Sequence, residues 1–572
     1  MLMMPSILAR KHYHKAPKEL RSSLRCRTPA FVIKEKSLPT ERFFCFPTFS
    51  QVKNLEIWKK SSTFAPQIKN LAIMKRVRLC LYLAAGLLLA GCSAHESFSP
   101  MDGGYYFDYA DEPITPGEGG DQFEEFDDNP FIDAAEQPQS TFSVDADGAS
   151  YAYMRSCVNS QYYTSLPYKN AVRIEEFLNY FTFDYADPTG SDAIAINGEI
   201  GACPWNAEHR LMRLGIKGKS VSEADMPTAN FVFMVDVSGS MNSTDKLDLL
   251  KSGLIELVSH MRADDRIAII TYASGEQLLL PSTPCSESQK IIAKIKQLKA
   301  GGATSGSRAL EMAYTQAQEN YIQGGNNRII IGTDGDWNVG VTSTAGLLEI
   351  VESHAQDGIY MSVCGFGRGN LNDVMMEKIS NAGNGTYTYI DCEDEMMKVF
   401  CHERSNMLAV ASDAKIQITF DPAVVAQYRL IGYENRVMRN EDFEDDNKDA
   451  GEIGAGQTIT ALYEIVPASA EVAGWDSHAQ VATFDCRYKH ALGEQSNLLQ
   501  LAVNNWVGTN SENLNFAAGV AAYGMILRDS PYKGSASYSM SAELVDANRT
   551  FDPNGYRAQL VELINKAATI EK

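Results

Sequence analysis

Several patterns by which chemistry is usually recognised are missing from this chain of 572 residues. It has no H-E-x-x-H pair for a zinc hydrolase, no G-x-x-x-x-G-K-[ST] loop to cradle phosphates and no G-x-S-x-G turn to present a serine nucleophile. No C-x-x-C pair occurs, so neither a cysteine zinc site nor a dithiol redox centre is signalled. The seven histidines after residue 92 are dispersed, and a lone histidine is more often a satisfied structural residue than a base. Cys401, His402 and Glu403 are adjacent, but on a helix consecutive side chains point apart. Catalysis is therefore not expected.

Positive charge is the second scarcity. The formal net charge is −21. Residues 1–91 hold 17 Lys and Arg against 4 Asp and Glu, which leaves the remainder at −34. Such an excess repels nucleic acid and anionic lipid surfaces and favours cations or basic partners. Nucleic-acid binding is excluded on this ground. Long apolar runs are also lacking. Leu79–Leu89 and Leu514–Leu527 are both too short to make a good membrane span.

The first of those runs has another use. From Met74 the sequence reads MKRVRLCLYLAAGLLLAGCS, with Lys75, Arg76 and Arg78 ahead of the apolar stretch, which is the layout of a secretory signal. Leu89-Ala90-Gly91-Cys92 resembles a bacterial lipobox, which implies cleavage before Cys92 and acylation of that cysteine. A signal works from an N-terminus, so residues 1–73 read as a start-site overcall and 74–91 as the signal. Export implies a compartment where disulfides can form, yet the seven cysteines after Cys92 are odd in number and scattered, and no pairing is legible. Residues 92–140 read as an acidic disordered tether: Ser93–Ser140 carries 13 Asp and Glu with no Lys or Arg, and like charges extend a chain that cannot bury apolar surface.

Globular sequence begins near Thr141. In AVRIEEFLNYF, Ile174, Phe177, Leu178 and Phe181 fall on one helix face. Two strand-like runs follow, at 193–200 and 209–218. From 229 to 408 strands alternate with amphipathic helices: strands at 231–237, 266–273, 276–281, 328–333, 359–366 and 386–390, and helices near 288–299, 306–322, 344–356, 371–381 and 394–408. A further helix has Leu247, Leu250, Leu254, Leu257, Val258 and Met261 on one face. Ser274-Gly275 is a tight hairpin connection, which makes 276–281 antiparallel. Near-continuous apolar strands between amphipathic helices predict an α/β fold, a doubly wound, mostly parallel six-stranded sheet covered on both faces. After it come alternating runs at 415–422, 458–467, 480–489 and 498–503. The strands before Asn230 lack partners of their own, so 193–218 and 415–503 are expected to form one β-sandwich with the α/β unit inserted. Leu514–Leu527 and Arg557–Ala567 read as a helical cap. The expected domains are 141–228, 229–408 and 409–572.

The first strand of the α/β unit ends in Asp236-Val237-Ser238-Gly239-Ser240. In an open α/β sheet ligands bind at the carboxyl ends of the strands, near the point where strand order reverses. A carboxylate and two hydroxyls presented there can converge on one hard cation, which prefers oxygen ligands. Thr304 in GGATSGS and Asp334 at the end of RIIIGTDGD should reach the same edge. D-x-S-x-S, a Thr in a glycine-rich loop and T-D-G after the fourth strand together resemble the metal-ion-dependent adhesion site of von Willebrand factor type A domains. The resemblance implies Asp236, Ser238, Ser240, Thr304 and Asp334 as direct or water-bridged ligands of Mg2+, or of Mn2+ or Ca2+, with Asp336 in support or simply at the surface. It also implies a protein partner that offers an Asp or Glu to the metal. TFSVDADGASYAYMRS, AVRIEEFLNYF and ACPWN ahead of the unit are similar to a bacterial lipoprotein family built around such a domain. So are YRLIGYENR, EDFEDDNKDAGEIGAGQTITALYEIVP and LRDSPYKG after it. Asp445, Asn447 and Asp449 have calcium-loop spacing, but Ala450 stands where that loop needs glycine, so a polar hairpin loop is expected there.

Three functions follow as expectations. The first is a membrane-anchored envelope protein that uses the adhesion site to bind a partner in adhesion or assembly. An alternative is a non-catalytic scaffold in which the metal is structural. The third, a hydrolase of an envelope polymer, has no motif behind it. Ser93 after the lipidated cysteine, where an inner-membrane retention signal places Asp, favours the outer membrane. If Cys92 is acylated, mass spectrometry of the mature protein should find it as a lipid-modified first residue. An unmodified N-terminus, or any peptide from residues 1–73, would rule that out; several acyl chains are expected, since one alone anchors only marginally.

Overall fold

The structure, a computed structural model, describes residues 120–571 apart from 161–163, 274, 303–307, 336–343, 470–478, 492 and 506–507. The leading part contains β1 (Ile132–Asp133), β2 (Gln139–Ser143), α1 (Ala149–Val158) and α2 (Ile174–Asn179), then β3 (Ile194–Ala202) and β4 (Arg210–Gly218). All four residues of the predicted apolar face, Ile174, Phe177, Leu178 and Phe181, are buried.

The α/β unit opens with β5 (Ala229–Asp236) and α3 (Leu247–His260), followed by β6 (Arg266–Tyr272) and β7 (Glu276–Pro284). Next come α4 (Ser288–Ile295), α5 (Ala309–Glu319), β8 (Asn326–Thr333) and α6 (Thr344–Gln356). It closes with β9 (Tyr360–Phe366), α7 (Asp373–Ala382), β10 (Tyr387–Ile390) and α8 (Glu393–Met397). The sheet order is β10-β9-β8-β5-β6-β7, parallel throughout except for the antiparallel β6–β7 pair. Both faces are covered, as the side-chain alternation of a strand requires. Phe231, Phe233 and Val235 of β5 pack with Leu250, Leu254 and Leu257 of α3, whereas Val232 and Met234 pack with Leu310, Ala313 and Val351 of α5 and α6.

The helix expected over 394–408 is not continuous. After α8, residues 398–402 form a π turn and 404–407 a 3-10 turn. The N–H of Glu403 donates to the carbonyl of Lys398 at 2.8 Å, and the Lys398 ammonium pairs with the Glu403 carboxylate. Pairing at a spacing of five residues matches the π turn rather than an α-helix.

The trailing part supplies β11 (Ala409–Phe420), β12 (Val425–Ile431), β13 (Val437–Met438), β14 (Gly451–Gly454), β15 (Thr458–Pro467), β16 (Gln480–Lys489) and β17 (Asn497–Asn504). Helices α9 (Glu512–Arg528), α10 (Tyr538–Ala547) and α11 (Tyr556–Ile570) end the fold. One sheet has the order β1-β12-β15-β4-β3 and the other β13-β2-β11-β16-β17, with β14 also on β11. One apolar cluster takes Ile200, Met212, Leu214 and Tyr463 from the first and Phe142, Ile416, Ile418 and Phe484 from the second. The three last helices and α2 share another cluster.

One expectation needs correction. The acidic segment read as a tether to residue 140 is ordered from Gly120 onward: Phe123 packs edge-on against Tyr153 at 4.8 Å, β1 pairs with β12 and β2 with β11. Its aromatic residues and backbone pairing outweigh the charge excess that composition alone reports. The 445–449 loop, expected to be polar and not a calcium site, is closed by two lysines. Lys415 Nζ donates to the carbonyls of Asp442 and Asp445, and Lys489 Nζ to the carbonyl of Asp446 and the carboxylate of Asp413. Among the described residues the seven cysteines are free, five of them buried, and burial pushes the Cys364 and Cys486 thiols up to about 12.

Buried acid groups also set how the fold responds to pH. Glu175 of α2 is fully buried against Gly432, and burial, then the charges of Glu434 and Asp145, push its carboxyl up from 4.5 to about 8. A raised folded-state value means that the retained proton stabilises the fold fully below about pH 4.5, and that this contribution is lost as pH rises through about 8. Glu175→Gln should therefore raise the thermal midpoint at pH 8 and leave it nearly unchanged at pH 4.5. Equal shifts at both pH values in a melting series would refute the assignment.

Candidate functional site

Chain order sets the position of the site. From β5 the chain passes through α3 to β6 on one side, while β8 lies on the other, so the strand order reverses between β5 and β8. Asp236 ends β5 beside Thr333, the last residue of β8, and Asp334 follows at once. Both carboxylates are fully buried.

Asp236 Oδ1 accepts the backbone N–H of Ser238 at 2.7 Å, and its Oδ2 accepts the Thr333 hydroxyl at 3.2 Å. The Thr333 oxygen accepts in turn from the N–H of Gly335 at 3.2 Å. The hydroxyls of Ser238 and Ser240 are 2.9 Å apart, the first buried and the second exposed on a 3-10 turn over Gly239–Met241. The set therefore runs from a buried carboxylate to a hydroxyl open to solvent. Burial, partly offset by the Ser238 hydrogen bonds and reinforced by the charge of Asp334, pushes the Asp236 carboxyl up to about 6.

Asp334 presents its two oxygens differently. Oδ2 accepts from Lys246 Nζ at 2.9 Å, while Oδ1 is buried with no hydrogen-bond partner among the described residues. The glycine-rich loop is at hand: Gly301 N–H donates to the carbonyl of Val237 at 2.8 Å, and Gly239 N–H to that of Gly302 at 3.0 Å. Thr304 and Asp336 lie outside the described residues, as does Cys92. The structure thus brings together Asp236, Ser238, Ser240 and Asp334.

Three contributors escape a reading of sequence alone. Thr333 orients Asp236, Lys246 pairs with Asp334, and Asn370 Oδ1 accepts from the same lysine at 3.1 Å. The loop bearing Asn370 is strapped from outside the unit. Asp121 Oδ1 accepts the N–H groups of Gly369 and Leu371 at 2.5 and 3.0 Å, its Oδ2 accepts the Tyr153 hydroxyl at 2.8 Å, and Gln122 exchanges backbone hydrogen bonds with Leu371 and Asp373. The T-D-G motif hints at Thr333, but nothing local marks Lys246 or Asp121, whose partners lie 88 and about 250 residues away.

An all-oxygen donor set with an open buried carboxylate oxygen could hold a hard divalent cation. Among the described residues no group of three or more His, Cys, Asp or Glu is placed to hold a metal. A cation here would depend on the serine hydroxyls as much as on the two carboxylates. Nucleophilic chemistry has less to work with. His260 Nδ1 is 3.6 Å from Cys401 Sγ, but burial and then Glu256 push that thiol up, the reverse of activation.

The model described as von Willebrand factor type A domain matches residues 231–336, and one described as von Willebrand factor matches 118–213. The model described as Uncharacterized protein YfbK, C-terminal, matches 405–570. The Escherichia coli (strain K12) protein YfbK is 39% identical over 471 residues, covering 78% of this chain and 81% of that protein. A Synechocystis protein, sll0103, is 24% identical over 194 residues, 33% of this chain and 44% of its own length. Among solved structures, von Willebrand factor type A from Catenulispora acidiphila covers 66% of this chain and 91% of its own, at 14% identity and a TM-score of 0.38. Coverage and identity with the Escherichia coli protein decide the matter: this chain belongs to the bacterial family of von Willebrand factor type A domain proteins that carry the YfbK-type C-terminal domain.

Proposed function

We propose that the protein is a lipid-anchored protein of the bacterial outer membrane that binds a protein partner at a divalent-metal site made by Asp236, Ser238, Ser240, Thr304 and Asp334. A von Willebrand factor type A domain is in general a module for adhesion or protein interaction, and a catalytic role is not part of the proposal. The observation that carries it is the Asp334 Oδ1 oxygen, buried beside Asp236 with no hydrogen-bond partner among the described residues, while Ser238 and Ser240 lead from Asp236 to solvent. A buried acceptor in that state costs free energy unless something occupies it.

Mg2+ or Mn2+ bound there would supply a coordination position open to a carboxylate. Ser238, Ser240 and Thr304 are neutral, so they leave cation charge uncompensated. The short side chains of Ser238 and Ser240 also leave room for a partner's Asp or Glu to approach. The two antiparallel sheets we read as the layers of one β-sandwich that receives the α/β unit as an insertion. The pairing of β4 with β15 and the apolar cluster common to both sheets support that reading. Such a platform would hold the site at a fixed orientation to the ordered strap at Asp121.

Affinity capture from detergent-solubilised membranes, run in parallel with Mg2+ and with chelator, tests the function. Capture should need the metal. Asp236→Ala should abolish both metal and partner binding while changing folding stability by no more than about 1–3 kcal/mol, the scale of the two hydrogen bonds it removes. Thr304→Ala should weaken partner binding more than metal binding. A partner captured equally well in chelator, or by Asp236→Ala, would leave the metal a structural part of a scaffold.

A further inference from the structure

Lys246 is a charged member of the site that its recognisable motifs do not contain. It sits immediately before α3, with a side chain 10% exposed, and its ammonium lies 2.9 Å from Asp334 Oδ2 and 3.1 Å from Asn370 Oδ1. The surrounding chain is shaped around it. Gly367 takes a φ of +70°, and a Cβ there would run into the lysine Cε, so only glycine both adopts this backbone and leaves room for the stem. The Tyr389 hydroxyl donates to the Gly367 carbonyl at 2.9 Å, and Asp121 holds Gly369 and Leu371. Lysine is seldom buried unless it is paired, and here the residue after β8 and the loop after β9 hold it in place.

We propose that Lys246 is a resident positive charge that gives the site its preference for an acidic ligand, an inference that rests on the reading of the site as a divalent-metal site. Two carboxylates and one ammonium sum to one negative charge. With a divalent cation the sum becomes one positive charge. Without the lysine it would be zero, and a neutral site on a mature chain of net charge −34 would exert no pull on a carboxylate beyond direct contact. The lysine therefore acts in two opposite directions: it weakens metal binding by repulsion and strengthens carboxylate binding by attraction. A residue with a purely structural role would lower both on removal.

The test uses the whole mature chain and two probes, Mn2+ alone and then acetate added to the Mn2+-loaded protein. Lys246→Met keeps the length of the stem and removes the charge. It should bind Mn2+ at least about tenfold more tightly in calorimetry, the lower end of the scale for a unit charge a few ångströms away, and should need several times more acetate to change the water-proton relaxation of bound Mn2+. Lys246→Arg keeps the charge and should behave as wild type in both measurements. Lys246→Met binding Mn2+ equally or more weakly overturns the proposal, as does Lys246→Arg behaving like Lys246→Met. Wild-type protein that binds no Mn2+ removes the metal reading itself, whereas wild type that binds beside an unaltered Lys246→Met removes only the role of the lysine.

Discussion

Parallel pairing of β5 with β8 puts two carboxylates side by side at the inner end of a sheet, and much of the surrounding structure answers that charge. An uncompensated buried charge costs roughly 3–5 kcal/mol when a partner is removed. Asp236 receives a backbone N–H and a threonine hydroxyl, and Asp334 receives an ammonium on one oxygen. Each donor comes from a different place in the chain: the turn after β5, the end of β8 and the residue before α3. The loop that steadies the lysine is in turn held by Asp121, from the stretch that leads in from the N-terminal side. Charge burial at the strand ends thus reaches to the ordered segment at Asp121 and Gln122.

The flanks attach to the α/β unit through similar chemistry. Arg155 of α1 pairs with Asp391 and Glu395 around α8, and Tyr180 also donates to Glu395 at 2.8 Å. Arg173 pairs with Asp373 at 2.6 Å, and Arg436 with Glu377 at 2.6 Å and Asp145 at 2.9 Å, so α7 is gripped from both the leading and the trailing parts. Buried ion pairs add little net stability relative to apolar packing, but they tolerate only one arrangement because a broken pair strands a charge. They fix the direction in which the α/β unit faces relative to its flanks. α7 follows the loop that carries Asn370, so the grip on the helix and the strap on the loop constrain one continuous segment.

Much of this was legible in the sequence. Periodicity marked the parallel strands and their helices, because burial on both faces forces near-continuous apolar runs, and Ser274-Gly275 marked the antiparallel hairpin. Asp236, Ser238, Ser240 and Asp334 were legible because local motifs at strand ends carry them, and the sheet brings strand ends together. What the sequence could not decide depends on contacts far apart along the chain. Composition made 120–140 look unfoldable, yet Asp121 and Phe123 are ordered by partners at 369–371 and 153. The 445–449 loop read only as polar, and nothing local announces that Lys415 and Lys489 fold back onto its carbonyls. The helix expected over 394–408 is broken by a lysine–glutamate pair five residues apart, a choice made by packing rather than by propensity. Lys246 shows the same limit most clearly. A lysine before a helix is ordinarily a solvated residue, and only the tertiary structure, by closing Gly367 and Asn370 over it, makes it a buried counterion to Asp334. Local pattern determines which residues face inward; which charges meet there is decided by the long-range packing that brings them within 3 Å of one another.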